Sequence, residues 1–127
     1  MLVVDDHKIV REGLASLLAE QHGIEVVGQA GNGREAVNLA FELHPNVVIM
    51  DVSMPLMNGD EATRQIRKLM PDTRVIALSM FEESETMQRM FQAGAERYVL
   101  KTAPSADLFA AVRGNQTNVQ SSDRKKA

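Results

Sequence analysis

Several short, largely apolar runs in this chain end on a residue that can do chemistry. Leu2–Val4 runs into Asp5 and Asp6, Val47–Met50 into Asp51, Val75–Leu78 into Ser79, and Arg97–Leu100 into Lys101. Short runs rich in β-branched residues suit strands buried on both faces, and such strands belong in parallel sheets covered by helices. The carboxyl ends of parallel strands share one edge, which is where ligands bind. Three carboxylates, a hydroxyl and an ammonium are thereby sent to a single rim. Crowded carboxylates repel, and some stay protonated unless a cation joins them. Oxygen donors without thiolate suit a hard ion, and Mg²⁺ keeping several waters is the natural choice. Lys101 adds a point charge suited to phosphate, and Ser79 can donate to a phosphoryl oxygen.

That inventory fits phosphoryl transfer onto a carboxylate, which needs positioning and charge neutralisation more than covalent help from the protein. Asp51 is the candidate nucleophile. An aspartate titrates at about 3.9 when unperturbed, so it is ionised at neutral pH without a general base. Asp5 and Asp6 are candidate metal ligands, the ion bridging Asp51 and the incoming group. Singly, each residue has a plainer reading. Asp5 and Asp6 suit a helix N-cap, Asp51 suits a turn near Pro55, and Ser79 and Lys101 are strand-end polarity. Their joint placement at successive strand ends is what points to function. His7, His22 and His44 lack metal-ligand spacing and read as surface or capping residues. Gly31 and Gly33 do not form a dinucleotide fingerprint.

The elements that must position these groups alternate regularly. After the first strand, Val10, Leu14, Leu17 and Leu18 predict an amphipathic helix over His7–Gln21, closed by His22 and Gly23. Ile24–Ala30 reads as a second, more polar strand suited to a sheet edge. Asn32 and Gly33 open a second helix on Ala36, Leu39, Ala40 and Leu43, barred by Pro45. Beyond Asp51, Pro55 and the Asn58–Gly59 pair read as a turn before a helix over Glu61–Met70 carrying Ala62, Ile66 and Leu69. A fourth helix, Glu82–Ala93, follows the Ser79 strand with Met87, Met90 and Phe91 in register and Gly94 as its C-cap. The last helix starts at Pro104, with Asp107 in its first turn and Leu108, Ala111 and Val112 buried. Five strands alternating with five helices predict a flavodoxin-like, doubly wound α/β fold with a parallel sheet in the order 2-1-3-4-5.

Length and composition agree with one domain. The chain has 127 residues, a hydrophobic content of 44% and a formal net charge of −3, which leaves no footprint for nucleic acid. With no cysteine, disulfides and thiolate metal sites are excluded and a reducing compartment is allowed. No apolar run is long enough to span a membrane, and no signal peptide is visible. The eight methionines are scattered and read as core filler. Residues 115–127 lack apolar periodicity and read as a flexible polar linker or tail after a domain over residues 1–114.

With these residues in place, the sequence resembles the receiver domain of two-component response regulators, over residues 2 to about 114. The likeness rests on VVDDH at 3–7, NGREAV at 32–37, VIMDVSMPLMNG at 48–59, VIALSM at 75–80 and AGAERYVLK at 93–101. The wording is most similar to the LuxR/NarL type. The resemblance implies a CheY-like fold and a cytoplasmic protein whose Asp51 accepts a phosphoryl group from a histidine kinase. It implies Mg²⁺ held directly by Asp6 and Asp51, partly through water by Asp5, and by the backbone carbonyl of Ser53. Ser79 and Tyr98 match the family's switch pair, and Lys101 would pair with phosphoryl oxygens. The signal would appear on the face of the fourth helix, fifth strand and fifth helix, with homodimerisation as one outcome. The sequence departs from many members in having Thr102, not proline, after the lysine.

This type normally continues into a helix-turn-helix. None follows here, so DNA binding is expected only through a C-terminal domain that this chain lacks. Two other readings compete. A stand-alone receiver would act through protein contacts. An aspartyl-phosphate hydrolase would need a second acid two residues after the nucleophile, where Ser53 stands, so a phosphoacceptor and not an enzyme is expected.

Overall fold

Side-chain alternation along the inner strands decides the architecture. Leu2, Val4, Val48, Met50, Val75, Ala77 and Tyr98 point into one core layer, while Val3, Val47, Ile49, Ile76, Leu78 and Val99 point into another. Successive strand residues face opposite sides of a sheet. Strands that are apolar on both sides must therefore be covered on both sides by helices. The computed structural model describes residues 1–114 apart from Ser53, Pro55 and Leu56, and then Gln120 and Ser121 as a backbone strand.

The described elements are β1 (Leu2–Val4), α1 (Lys8–Ala19), β2 (Gly28–Ala30), α2 (Gly33–Leu43), β3 (Val47–Asp51), α3 (Gly59–Leu69), β4 (Arg74–Ser79), α4 (Ser84–Ala93), β5 (Arg97–Leu100), α5 (Ser105–Arg113) and β6 (Gln120–Ser121). The first five strands are parallel in the order β2-β1-β3-β4-β5, as the alternation predicts. The short β6 adds to the outer edge of β5, antiparallel, with Tyr98 opposite Gln120. The sequence pattern gave no strand there, because residues 115–127 carry no periodic apolar signal. The remaining residues of that stretch lie outside the described ones.

One core layer receives Ala36 and Ala40 of α2, Ala62 and Ile66 of α3 and Met90 of α4; the other receives Ala15 and Leu18 of α1 and Leu108, Ala111 and Val112 of α5. Several boundaries differ from expectation. β2 covers only Gly28–Ala30, the residues that face the three of β1. α1 turns Ala15 and Leu18 to the sheet, leaving Val10 and Leu17 exposed. Leu43 and Leu69 are also exposed. α4 begins at Ser84, two residues later than its apolar pattern suggested. Gly94 takes the left-handed conformation, φ 115°, as the C-cap of α4.

Asn58 and Gly59 belong to the start of α3 and are not a free turn: Asn58 is its N-cap and Gly59 its first residue. Gly59 is required by close approach. A Cβ there would stand 2.3 Å from the carbonyl oxygen of Asp51 and 2.9 Å from the Cα of Val52. The Gly59 N–H donates to the Val52 carbonyl at 2.9 Å. The head of α3 is thus pinned onto the end of β3, which fixes the backbone that carries Asp51. Gly59→Ala is expected to lower the urea unfolding free energy by about 1–3 kcal/mol, the range for overpacking. Leu69→Ala, at the exposed end of the same helix, should stay within about 0.5 kcal/mol.

Candidate functional site

The alternation that builds the two cores also sorts the polar groups at the strand ends. Asp5, Asp51 and Lys101 continue the register of Val3, Ile49 and Val99, whose side chains face α1 and α5. Ser79 continues the register of Val75 and Ala77, on the side of Tyr98 and of α2–α4. The acids and the lysine therefore meet each other, and the hydroxyls of Ser79 and Tyr98 meet elsewhere.

Lys101 is the hub of the first group. Its Nζ donates to Asp5 Oδ2 at 2.7 Å and lies 3.3 Å from Asp51 Oδ1. Asp5 is wholly buried and Asp51 is 5% exposed, so the water that normally stabilises a carboxylate is largely withheld. Asp5 Oδ1 also accepts the backbone N–H of His7 at 2.9 Å. Burial is the largest influence on Asp51 and pushes its pKa up to about 6. The charge of Asp5 contributes to that rise, against the pull of Lys101. Burial alone would lower the pKa of Lys101, but the hydrogen bond to Asp5 and the charges of Asp51 and Asp5 outweigh it and leave it raised. The lysine therefore keeps its proton, and one ammonium faces more carboxylate than it can neutralise.

Asp6 stands at the lip of the site, and its Oδ1 is buried without a hydrogen-bond partner. An orphaned carboxylate oxygen beside two further acids is the donor chemistry that a hard divalent cation completes. Among the described residues, the acids and histidines whose donor atoms fall within 4.8 Å of one another are Asp5, Asp6 and His7. Asp51 is outside that set and is tied to it through Lys101 and Asp6. His7 takes the exposed helix-start position expected for it: it is the N-cap residue of α1, though with no side-chain capping bond, and its Nδ1 lies 3.1 Å from Asp6 Oδ1 and 3.5 Å from Asp5 Oδ1. Ser53 lies outside the described residues.

Ser79 and Tyr98 converge on one backbone acceptor. Ser79 Oγ donates to the Phe81 carbonyl at 3.1 Å and accepts the Phe81 N–H at 3.2 Å. Tyr98 Oη donates to the same carbonyl at 2.9 Å. The Tyr98 ring is 2% exposed, and burial raises the pKa of its hydroxyl. No sequence signal could have named the Phe81 carbonyl, because every residue carries one. A cleft of about 400 Å³ opens beside it, lined by Val52, Asn58, Asp60, Ser79 and Phe81 among others. A cleft of similar volume, about 390 Å³, sits at the opposite edge of the sheet near Met1 and Val47, away from the strand ends that carry the acids.

Comparison with known proteins adds a family to this geometry. Residues 1–113 match the family model described as response regulator receiver domain. The response regulator GacA of Pseudomonas viridiflava is 46% identical over 113 residues, covering 89% of this chain and 53% of that protein. The chain spans about half the length of the curated relatives it matches. A two-component response regulator of the LuxR family from Aurantimonas sp. SI85-9A1 superposes with a TM-score of 0.85 at 38% identity, covering 89% of this chain and 81% of that one. A structure described as the CheX-CheY-BeF3-Mg²⁺ complex from Borrelia burgdorferi matches with a TM-score of 0.80 at 25% identity, over 89% of this chain and 85% of that one.

The raised pKa of Asp51 makes stability depend on pH. A carboxyl with a higher pKa folded than unfolded binds its proton more tightly in the native state. Its stabilising contribution is complete below the ordinary value of 3.8 and is lost as pH rises through about 6. Asp51→Asn mimics the protonated form. In chelator it is expected to be more stable than the parent at pH 7.5, on the order of 2 kcal/mol. The gap should close as the pH falls to about 4 in thermal melts.

Proposed function

The chain belongs to the response regulator receiver domain family, of the LuxR/NarL type, and we propose that it works as a phosphoacceptor switch in which Asp51 takes a phosphoryl group from a histidine kinase. The observation that carries this reading is the buried Asp51 carboxylate at the end of β3, with the Lys101 ammonium 3.3 Å away and Asp5 and Asp6 beside it. Burial and the neighbouring acids make its ionised form costly, so a cation that offsets them stabilises the reactive carboxylate and couples its reactivity to what binds beside it.

Asp6 and Asp51 would hold Mg²⁺, with Asp5 behind them and the Ser53 carbonyl as a further donor suggested by the family resemblance. When bound, the ion would offset the charge of the acids and of the transferring group. An Asp51 carboxylate oxygen forms the new P–O bond as the P–N bond to the donor histidine breaks, the electron pair leaving with the imidazole nitrogen. Lys101, already protonated and fixed by Asp5, is placed to receive a phosphoryl oxygen without giving up its anchor. Gly59 holds the backbone at Asp51, so the nucleophile is positioned before the donor arrives. Transfer is single and stoichiometric in this reading, with no catalytic turnover of a substrate.

The Phe81 carbonyl supplies the link to output. For Ser79 to donate to a phosphoryl oxygen, it must release that carbonyl, leaving Tyr98 as its hydroxyl donor. The β4–α4 segment is then held by the tyrosine alone and can settle on a different arrangement. Residues 1–114 form the receiver, and residues 115–127 act as the linker to a LuxR-type DNA-binding domain of the full-length protein. Homodimerisation through the α4, β5 and α5 face and a cytoplasmic location complete the proposal.

Acetyl phosphate with Mg²⁺ is expected to add one phosphoryl group, read by intact-mass spectrometry, and Asp51→Asn should add none. Unchanged labelling of the variant would place the acceptor elsewhere. The chain has one tyrosine and no tryptophan, so its intrinsic fluorescence reports Tyr98 directly. Phosphorylation or beryllofluoride is expected to shift that fluorescence. Ser79→Ala, which removes the hydroxyl that must move, should abolish most of the shift while Asp51 still accepts the group.

A further inference from the structure

We propose that His7 is a donor to the divalent-cation site and turns its preference from Mg²⁺ toward first-row transition ions. This rests on the cation-dependent acceptor reading above and names a ligand that the reading does not require.

One pair of atoms at the lip of the site is close but not hydrogen-bonded. His7 Nδ1 and Asp6 Oδ1 are 3.1 Å apart, yet Asp6 Oδ1 has no hydrogen-bond partner. The ring N–H direction and the carboxylate are therefore misaligned for a hydrogen bond, although the distance would allow one. Two donors lying side by side at this separation converge on a third point. For bonds of about 2.1 Å at right angles, neighbouring ligands of one ion stand about 3.0 Å apart; at tetrahedral angles, about 3.4 Å. The observed 3.1 Å between His7 and Asp6 falls close to the first of those spacings.

The backbone that carries the ring is held at both ends of the residue. The His7 N–H is held by Asp5 Oδ1 at 2.9 Å, and the His7 carbonyl accepts the Arg11 N–H at 2.8 Å as the first bond of α1. Asp5 is already satisfied by the His7 N–H and Lys101. That leaves Asp6 Oδ1 and His7 Nδ1 as the open pair. Asp6 helps to raise the Asp51 pKa, so an ion held by Asp6 would also act on the acceptor. The 71% exposure of the His7 side chain leaves room for the ring to adjust and for water to complete the shell. Imidazole adds little for Mg²⁺, which prefers oxygen, and strengthens binding of transition ions.

Mn²⁺ is the probe that tests this, because it is paramagnetic and replaces Mg²⁺ in oxygen-rich sites. Pulsed EPR of Mn²⁺ bound to the full chain is expected to show modulation from an imidazole nitrogen, absent in His7→Ala. Titration calorimetry should show the ratio of Mn²⁺ to Mg²⁺ affinity falling by about 10-fold or more in that variant, the scale on which partners of metal sites act. Asp6→Asn, measured alongside, should lose both ions. Mn²⁺ bound without nitrogen modulation, or equal weakening of both ions in His7→Ala, would refute the inference while leaving the acceptor reading intact. Failure of the parent chain to bind either ion would refute both. Circular dichroism of His7→Ala should match the parent, since the ring makes no capping bond.

Discussion

A carboxylate is buried at the end of the central strand with too little positive charge beside it, and the rest of the site is arranged around that imbalance. Asp51 is 5% exposed, Asp5 is wholly buried, and Lys101 is the ammonium that bridges them. Water cannot solvate the charge and one lysine cannot offset the acids, so the proton on Asp51 is held up to about 6. A site in that condition responds strongly to any added cation. Added positive charge would relieve the ionised carboxylate, and in the proposed role phosphoryl transfer needs the same charge.

The two-residue repeat of the strands extends this division of labour beyond the core. One register gives Val3, Ile49 and Val99 and continues into Asp5, Asp51 and Lys101. The other gives Val75, Ala77 and Tyr98 and continues into Ser79. The charge centre and the hydroxyl pair are thereby built on opposite sides of one sheet, a strand end apart. In the proposed switch a signal would pass between them by Ser79 crossing that short gap, with Phe81 as the place where the crossing would be felt. The same carbonyl serves Ser79 at 3.1 Å and Tyr98 at 2.9 Å, so one hydroxyl cannot leave without changing the surroundings of the other.

Much of this was legible in the residues, and the failures have physical causes. β3, β4 and β5 were readable because burial on both faces demands unbroken apolar runs, and their ends named Asp51, Ser79 and Lys101. The helices were readable from periodicity, and the stripe of α1 in part: Leu14 and Leu18 pack into the core as read, but the small Ala15 joins them while Val10 and Leu17 are exposed. β2 was overread because apolar content was mistaken for pairing, and pairing extends only where β1 faces it. The shared Phe81 carbonyl and the short β6 carry no side-chain signature at all.

The most direct test of the account is the ionisation of Asp51 itself, followed by carboxyl ¹³C NMR across pH with and without Mg²⁺. The account predicts a midpoint near 6 in chelator, moving well down when the ion is added, with Asp51→Asn identifying the resonance. A midpoint in the ordinary carboxylate range that ignores Mg²⁺ would contradict it.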